Sequence, residues 1–279
     1  MSRILAITNQ KGGVGKTTTG VNLAASLAAA QRRVLLVDLD PQGNATMGSG
    51  VDKRNLTATV YHVLLGSRSL VEARTRSEKG EFDLVPANRE LAGAEVELVN
   101  VDHRETRLKD ALATVADQYD FILIDCPPAL NLLTVNGLTA AQAVMIPMQC
   151  EYYALEGLSD LVATVKKVRA HLNPHLEIEG LLRTMYDPRN TLAQQVSAQL
   201  VEHFGDKVYR TVIPRNVRLA EAPSFGKPVL LHDKASTGAL AYLALAKEII
   251  RRRGGELPGP RDAYHAPEAP AETPVTTTY

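Results

Sequence analysis

Short apolar runs alternate with longer stretches of helical periodicity along most of the chain. The runs are almost unbroken in Val, Ile and Leu, which is typical of strands that are buried on both faces of a sheet. They predict strands at residues 3–8, 33–38, 82–85, 120–125, 143–147, 178–184 and 208–213. The periodic stretches predict helices at residues 16–30, 56–65, 89–99, 104–117, 131–139, 154–171, 190–204 and 236–253.

This order of elements predicts a doubly wound α/β fold, with a mostly parallel sheet and helices on both faces. In such folds ligands bind at the carboxyl ends of the strands. Asp40 and Asp125 fall at such ends, on the same side as a glycine-rich turn that follows the first predicted strand. We therefore expect one domain over residues 1–255, with its functional site at this edge of the sheet.

The glycine-rich turn carries the chemistry that is easiest to interpret. Successive backbone N–H groups of such a turn bind phosphate oxygens, and glycines let the backbone approach them without a Cβ. Lys16 would place its charge beside the β- and γ-phosphates, and the Thr17 hydroxyl would be a ligand of Mg²⁺. The segment predicts a P-loop NTPase whose nucleotide-binding residues are Lys11, Gly12, Gly13, Val14, Gly15, Lys16, Thr17 and Thr18.

The turn departs from the plain P-loop pattern, because Gln10 occupies the place of the usual first glycine and Lys11 precedes Lys16 by five residues. It resembles the deviant Walker A motif of the ParA/MinD class of P-loop ATPases, in which the extra lysine reaches across a dimer interface to the partner's nucleotide. Residues 34–46 resemble the switch I segment of the ParA/Soj proteins, and residues 121–128 their Walker B strand and switch II. The resemblance extends from about residue 3 to about residue 250 and identifies the chain as a member of the ParA/Soj family of partition ATPases.

The resemblance implies an ATPase that uses ATP and Mg²⁺. Asp40 would orient the attacking water and would form the catalytic set with Lys11 and Lys16. Thr17, Asp38 and Asp125 would hold Mg²⁺, partly through water. The sequence offers no obvious arginine beside the phosphate motifs, so we expect slow basal hydrolysis. Two later residues, Pro214 and Asn216, could contact the base by resemblance, although Pro and Asn in a loop are turn formers first.

The resemblance also implies partners. We expect an ATP-dependent homodimer that binds double-stranded DNA without sequence preference, through Arg189 and Arg218. We also expect a ParB-like centromere-binding partner in DNA segregation, which stimulates turnover. Phosphate contacts alone would make DNA binding sensitive to salt and blind to sequence. No helix-turn-helix segment precedes the P-loop, which argues against operator-specific repression.

The composition limits the other classes of function. The 279 residues contain 31 Lys and Arg and 31 Asp and Glu, so a uniformly basic nucleic-acid coat is excluded but a local basic patch is not. No apolar run approaches the roughly 18–20 residues that span a bilayer, and we expect a cytoplasmic, nucleoid-associated protein without stable membrane association. The Pro-rich composition after residue 255 predicts a disordered tail over residues 256–279.

Two alternatives remain at this point. The last predicted helix carries an apolar stripe followed by three arginines, which is typical either of a helix that packs on the core or of a helix at a membrane surface, as in a MinD-like positioning ATPase. Cys126 and Cys150 could be cluster ligands in an enzyme such as the nitrogenase iron protein, but buried small hydrophobes are the favoured interpretation.

Overall fold

A computed structural model describes residues 2–254 and contains a seven-stranded sheet in the order β3-β4-β2-β5-β1-β6-β7. All neighbouring strands run parallel except β3 and β4, which form an antiparallel pair at one edge. The strands are β1 Arg3–Ile7, β2 Val34–Asp38, β3 Thr75–Ser77, β4 Phe82–Val85, β5 Phe121–Asp125, β6 Ala143–Gln149 and β7 Glu177–Thr184.

Twelve α-helices occur in the described part of the chain, together with four short 3₁₀ helices at Leu98–Asn100, Ala116–Gln118, Gly205–Lys207 and Ala222–Phe225. The α-helices are α1 Lys16–Ala29, α2 Asn44–Gly48, α3 Val60–Leu65, α4 Leu70–Ala73, α5 Leu91–Glu97, α6 Arg107–Ala113, α7 Leu132–Ala140, α8 Ala154–His171, α9 Thr191–Phe204, α10 Val217–Glu221, α11 Val229–His232 and α12 Thr237–Arg252.

The sheet separates two hydrophobic cores, because successive side chains of a strand point to opposite faces. In β1, Leu5 and Ile7 belong to the core that packs under α1 and α12, whereas Ala6 belongs to the core that packs under α3 and α5 to α9. The strands are buried on both faces, as their nearly unbroken apolar runs predict. The doubly wound α/β fold is therefore confirmed.

One predicted strand is wrong. Residues 208–213 run beside β7 but form only isolated bridges there, Leu181 with Val208 and Tyr186 with Pro214. Side chains from other parts of the chain form hydrogen bonds with the backbone groups that a regular β-strand pairing would use. Glu248 accepts hydrogen bonds from the N–H groups of residues 210 and 211, and Arg183 donates to the carbonyl groups of residues 209 and 210.

The predicted helix at residues 104–117 is also shorter than expected, because regular helix is confined to Arg107–Ala113. The helix predicted from residue 56 begins only at Val60, where Thr59 and His62 form a reciprocal cap. Short elements without a long apolar pattern were not predicted, namely β3, α2, α4, α10 and α11.

The apolar stripe of the last predicted helix is used largely in the core. In α12, Ala246, Ile249 and Ile250 are buried, Leu243 is half-buried and Leu240 is exposed. The hydroxyl groups of Thr19 in α1 and Tyr242 in α12 are hydrogen-bonded at 3.1 Å, which ties the two helices together inside that core. The tail predicted for residues 256–279 lies outside the described residues.

Candidate nucleotide site

The turn between β1 and α1 forms the cradle that its sequence predicts. Gly13 and Gly15 have φ values of 73° and 87°, in the left-handed region that L-residues other than glycine rarely adopt. Gly15 precedes the first helical residue, Lys16, so the free N–H groups of the α1 N-terminus face the same side as the turn. Such an end attracts phosphate oxygens through both its N–H groups and the helix dipole.

Lys16 is buried in this cradle, and its ammonium donates a 3.0 Å hydrogen bond to the Lys11 carbonyl. Burial lowers the pKa of Lys16, and the nearby charges of Asp125 and Asp40 oppose that shift. The ammonium therefore lies in a polar pocket that already contains carboxylates, and it can neutralise a phosphate that enters beside them.

Two carboxyl groups meet at the ends of neighbouring strands. The parallel register of β2 and β5 pairs Asp38 with Asp125, and both residues are fully buried. Asp38 is well satisfied, because one oxygen accepts from the Thr46 backbone at 2.8 Å and hydroxyl at 2.7 Å, and the other accepts from the Asp40 N–H at 3.2 Å. These bonds fix its orientation.

Asp125 differs in that neither carboxyl oxygen has a partner at hydrogen-bond distance and angle, although the nearby Thr17 hydroxyl favours its charged form. Burial raises the pKa of Asp125 well above its ordinary value, and the facing Asp38 raises it further. Burial likewise raises the pKa of Asp38, against the effect of its hydrogen bonds with Thr46. A divalent cation bound here would stabilise the charged forms of Asp38 and Asp125 and so oppose both increases in pKa.

This donor set fits Mg²⁺. The ion prefers oxygen ligands and keeps several waters, so one hydroxyl and one or two carboxylates are a sufficient protein contribution. Thr17 at the start of α1 and the orphaned Asp125 carboxylate supply such oxygens beside the phosphate cradle. Asp38 lies behind them, where its hydrogen bonds to Thr46 leave it suited to a water-mediated contact.

Asp40 follows β2 and is half-buried. Its carboxyl oxygen accepts a 2.9 Å hydrogen bond from the Gln42 N–H, and Gly43 next in the turn has a φ of 61°. The turn therefore holds the carboxylate at the end of the strand, within electrostatic range of Lys16 and Asp125. The aspartates at positions 38, 40 and 125 form one cluster, as the strand ends predict.

Lys11 has a different environment from Lys16. Its side chain is 48% exposed, and the ammonium pairs with Glu151 at 2.5 Å. The N–H of Lys11 donates to Asn9, whose amide in turn donates to the Pro147 carbonyl in β6. The backbone of Lys11 is thus anchored to the sheet while its charge lies at the rim of the site.

Three residues that support the site were not identified from the sequence. The Gln149 amide donates to the Gly13 carbonyl at 3.2 Å, and the Thr184 hydroxyl donates to the Val14 carbonyl at 2.8 Å. Thr46 holds Asp38 and accepts a hydrogen bond from the Ala87 N–H. Gln149 and Thr184 are polar residues that end apolar strands, whereas Thr46 lies in α2, eight residues after β2.

A cavity of about 190 Å³ adjoins the cradle beside Gly15 and Thr18. Pro214 and Asn216 both line it. Asn216 also has a structural role, because its side chain accepts from the Leu219 N–H to cap α10 and donates to the Thr237 hydroxyl at 2.9 Å.

The two arginines that resemble DNA-binding residues are both on the surface. Arg189 is 89% exposed and forms a two-point ion pair with Asp187. Arg218 pairs with Glu221 at 2.8 Å and with Asp233 at 3.4 Å. Each positive charge therefore has an acidic neighbour within its own loop or short helix.

Comparison with known proteins agrees with these motifs. The profile of the AAA_31 family, described as an AAA domain, matches residues 2–178. The sporulation initiation inhibitor protein Soj of Bacillus subtilis is 57% identical over 89% of this chain and 98% of its own length. The chromosome partitioning protein ParA of Myxococcus xanthus is 55% identical over 90% of this chain and 89% of its own.

The chain belongs to the ParA/Soj family. A solved structure of cobyrinic acid a,c-diamide synthase from Mycobacterium smegmatis, with a bound ATP analogue and magnesium, is also similar, with 40% identity and a TM-score of 0.80. It covers 91% of this chain and 96% of its own length. This ParA/Soj protein is accordingly an ATPase with a P-loop α/β fold, and ATP and Mg²⁺ are its cofactors.

The iron–sulfur alternative finds no support in residues 2–254. Cys126 and Cys150 are buried in the hydrophobic core, and within the described residues neither belongs to a group of three or more His, Cys, Asp or Glu side chains that could hold a metal cluster. Burial raises the pKa of both thiols, that of Cys150 to about 11. None of the helices in the same range is long and apolar enough to cross a bilayer.

Proposed function

We propose that this ParA/Soj protein is an ATP-gated switch that dimerises, binds DNA without sequence preference and drives DNA segregation with a ParB-like partner. The observation that carries the proposal is that the two lysines of the turn, Lys11 and Lys16, lie in different environments. Lys16 fills the phosphate cradle, whereas the Lys11 ammonium lies at the exposed rim, where it pairs with Glu151. A lysine placed there is suited to a nucleotide bound by a second subunit.

In the proposed reaction, the cradle and Lys16 hold the β- and γ-phosphates. Thr17 would hold Mg²⁺ directly, and Asp125 and Asp38 would hold it partly through water. Asp40 orients the water that attacks the γ-phosphorus, and its fixed position in the turn supports that role. Lys11 of the second subunit neutralises charge that develops on the phosphates in the transition state. Hydrolysis by one subunit alone is slow for lack of that charge.

DNA binding is proposed for Arg189 and Arg218. Their present ion pairs do not oppose this role, because ion pairs between exposed side chains are screened by water and salt and contribute little to stability. An arginine can exchange such a carboxylate for a DNA phosphate at little cost. Dimerisation doubles the number of arginines on one particle, so ATP would switch retention on through avidity.

The names of similar proteins support a proposed partner and place of action. The similar proteins from Myxococcus xanthus and Bacillus subtilis are named for chromosome partitioning and for sporulation control. For this chain we propose a nucleoid-associated cycle in the cytoplasm, in which a ParB-like protein supplies further cations and accelerates hydrolysis. The cycle releases the dimer from DNA each time the triphosphate is cleaved.

The test is retention on non-specific duplex DNA with ATP, with ADP and without nucleotide, over a series of salt concentrations. We expect retention only with ATP, and a steep decrease as salt rises. Dimer mass is measured in parallel with a non-cleavable ATP analogue. A protein that stays monomeric with the analogue and Mg²⁺, or that binds DNA equally in all three states, would contradict the proposal.

The MinD-like alternative receives less support. The residues of α12 that could have faced a membrane are largely packed against α1 and the sheet, where Ala246, Ile249 and Ile250 are buried. Binding of the purified protein to anionic vesicles through residues 236–253 would favour the alternative, and binding to DNA alone would favour the main proposal.

A further inference from the structure

We propose that Glu151 is a counter-ion within the subunit that holds Lys11 away from dimer formation. This inference rests on the proposed function, in which Lys11 crosses to a second subunit. The starting point is the 2.5 Å ion pair between the Lys11 ammonium and the Glu151 carboxylate, which joins two side chains about half exposed. An ammonium in that pair must leave Glu151 before it can bind a phosphate elsewhere.

The two residues are brought together by parts of the chain that are rigidly placed. The Lys11 N–H binds Asn9, whose side chain is anchored to Pro147 of β6. Glu151 lies just beyond β6, and its N–H donates to the Gln149 carbonyl at 3.0 Å. The Gln149 side chain in turn binds the Gly13 carbonyl. The pair therefore closes a bridge between the phosphate turn and the end of β6.

The surroundings of the pair indicate that this face is left for another molecule. Immediately after Glu151, Tyr152 and Tyr153 are 74% and 69% exposed, and their rings form an edge-to-face pair with centroids 4.9 Å apart. Large apolar side chains beside a charged pair are typical of the core and rim of a protein interface. The occupant we infer is a second copy of this chain, since its nucleotide is what Lys11 would reach.

Dimerisation is then an exchange of partners. Each Lys11 gives up its own Glu151 carboxylate and gains a triphosphate with a larger negative charge, but not a diphosphate that has lost the γ-phosphate. The ion pair sets a threshold that ATP exceeds and ADP does not. Because a symmetric dimer contains two such lysines, two Lys11–Glu151 ion pairs must be broken for each dimer that forms.

The size of the effect can be bounded. An exposed ion pair contributes about 0–1 kcal/mol, and measured values are typically above 0.2. With two pairs lost per dimer, removing the Glu151 charge would tighten the dimer dissociation constant by about 2- to 30-fold. The gain should shrink as salt screens the pair, since the Debye length falls from about 10 Å at 0.1 M to about 3 Å at 1 M.

The experiment measures the dimer dissociation constant of the full chain by sedimentation velocity, with Mg²⁺ and a non-cleavable ATP analogue, at low and high salt. Glu151→Gln keeps the size of the side chain and removes its charge. Glu156→Gln, which removes an exposed glutamate in the first turn of α8, is the matched control. We expect tighter dimers for Glu151→Gln at low salt, a smaller difference at high salt, and no change for Glu156→Gln.

A second pair of measurements distinguishes the proposed crossing of Lys11 from the proposed role of Glu151. Lys11→Gln should abolish dimerisation, with or without Glu151→Gln. If Lys11→Gln still dimerises, the proposed crossing of Lys11 fails. If Lys11→Gln is monomeric while Glu151→Gln dimerises no better than wild type, or more weakly, the proposed function stands and the role of Glu151 is overturned. A weaker dimer would mean that Glu151 makes a favourable contact across the interface.

Discussion

Replacing Asp125 by Asn should stabilise the nucleotide-free protein, although Asp125 lies at the centre of the candidate Mg²⁺ site. The carboxyl group is fully buried, both of its oxygens lack a hydrogen-bond partner, and Asp38 faces it across the register of two strands. Burying a charge under these conditions costs more than burying a neutral amide of the same size. The amide removes the charge and keeps the shape.

The magnitude follows from the two orphaned oxygens. A buried polar group without a partner costs about 1–3 kcal/mol, and a charged group costs more. Asparagine keeps the cost of a buried polar group without a partner, and it removes the additional cost of burying a charge. We expect a gain of about 2 kcal/mol in the free energy of unfolding, which in a domain of this size raises Tm by about 4–8 °C.

The raised pKa of Asp125 determines how the stability of the wild-type protein changes with pH. Because folding raises the pKa of Asp125, the folded state binds this proton more tightly than the unfolded chain does. Wild-type stability therefore falls as pH rises from about 4, the ordinary carboxyl value, through the raised folded pKa. The Asn variant has no such proton, so its advantage should be small below pH 4 and should grow above it.

The assay is thermal unfolding of the apo protein, and of the protein with Mg²⁺ and a non-cleavable ATP analogue. Wild type should gain more from Mg²⁺ with the analogue than the variant does. Asp38→Asn is the contrasting control, because both Asp38 oxygens accept hydrogen bonds and an amide nitrogen would face a donor in either orientation. It should lose about 1–3 kcal/mol. An Asp125→Asn protein that melts below wild type without nucleotide at neutral pH, or that keeps the full Mg²⁺ response, would refute the reasoning.

Three further predictions follow from other parts of the molecule. Asp40→Ala should bind ATP and dimerise but release no phosphate, and normal turnover in a phosphate-release assay would exclude its role. Arg189→Ala combined with Arg218→Ala should keep ATP hydrolysis and lose retention on DNA at moderate salt; wild-type retention would mean that the DNA surface lies elsewhere. Gly180→Ala should lower the free energy of unfolding by about 1–3 kcal/mol, because its Cβ would lie 2.6 Å from the Tyr209 ring and 2.9 Å from a backbone carbonyl; denaturation with an unchanged midpoint would contradict this.

Much of the fold was predictable because six strands are buried on both faces and therefore read as unbroken apolar runs. The exception is residues 208–213, where Arg210 and Thr211 interrupt the apolar run and the segment lies beyond the edge strand. There Glu248 and Arg183 bind its backbone groups from elsewhere in the chain. No local pattern contains that information, because the contacts with Arg183 and Glu248 span 26 and 38 residues of sequence.

The candidate site also has a part that could be predicted from the sequence and a part that could not. The phosphate turn is a local motif of consecutive residues, so its cradle could be predicted without knowing the fold, and strand ends indicated where the aspartates converge. The contacts of Gln149, Thr184 and Glu151 with the turn span more than 130 residues. They depend on the strand order β1-β6-β7, which the sequence alone did not specify.

The buried bond between Thr19 and Tyr242 has a consequence for synthesis on the ribosome. The helix that follows the phosphate turn emerges early, but its packing partner α12 ends about 220 residues later. At 5–20 residues per second, roughly 10–45 s separate the two events. During that interval the side of α1 that packs against α12 in the folded protein remains uncovered in the nascent chain.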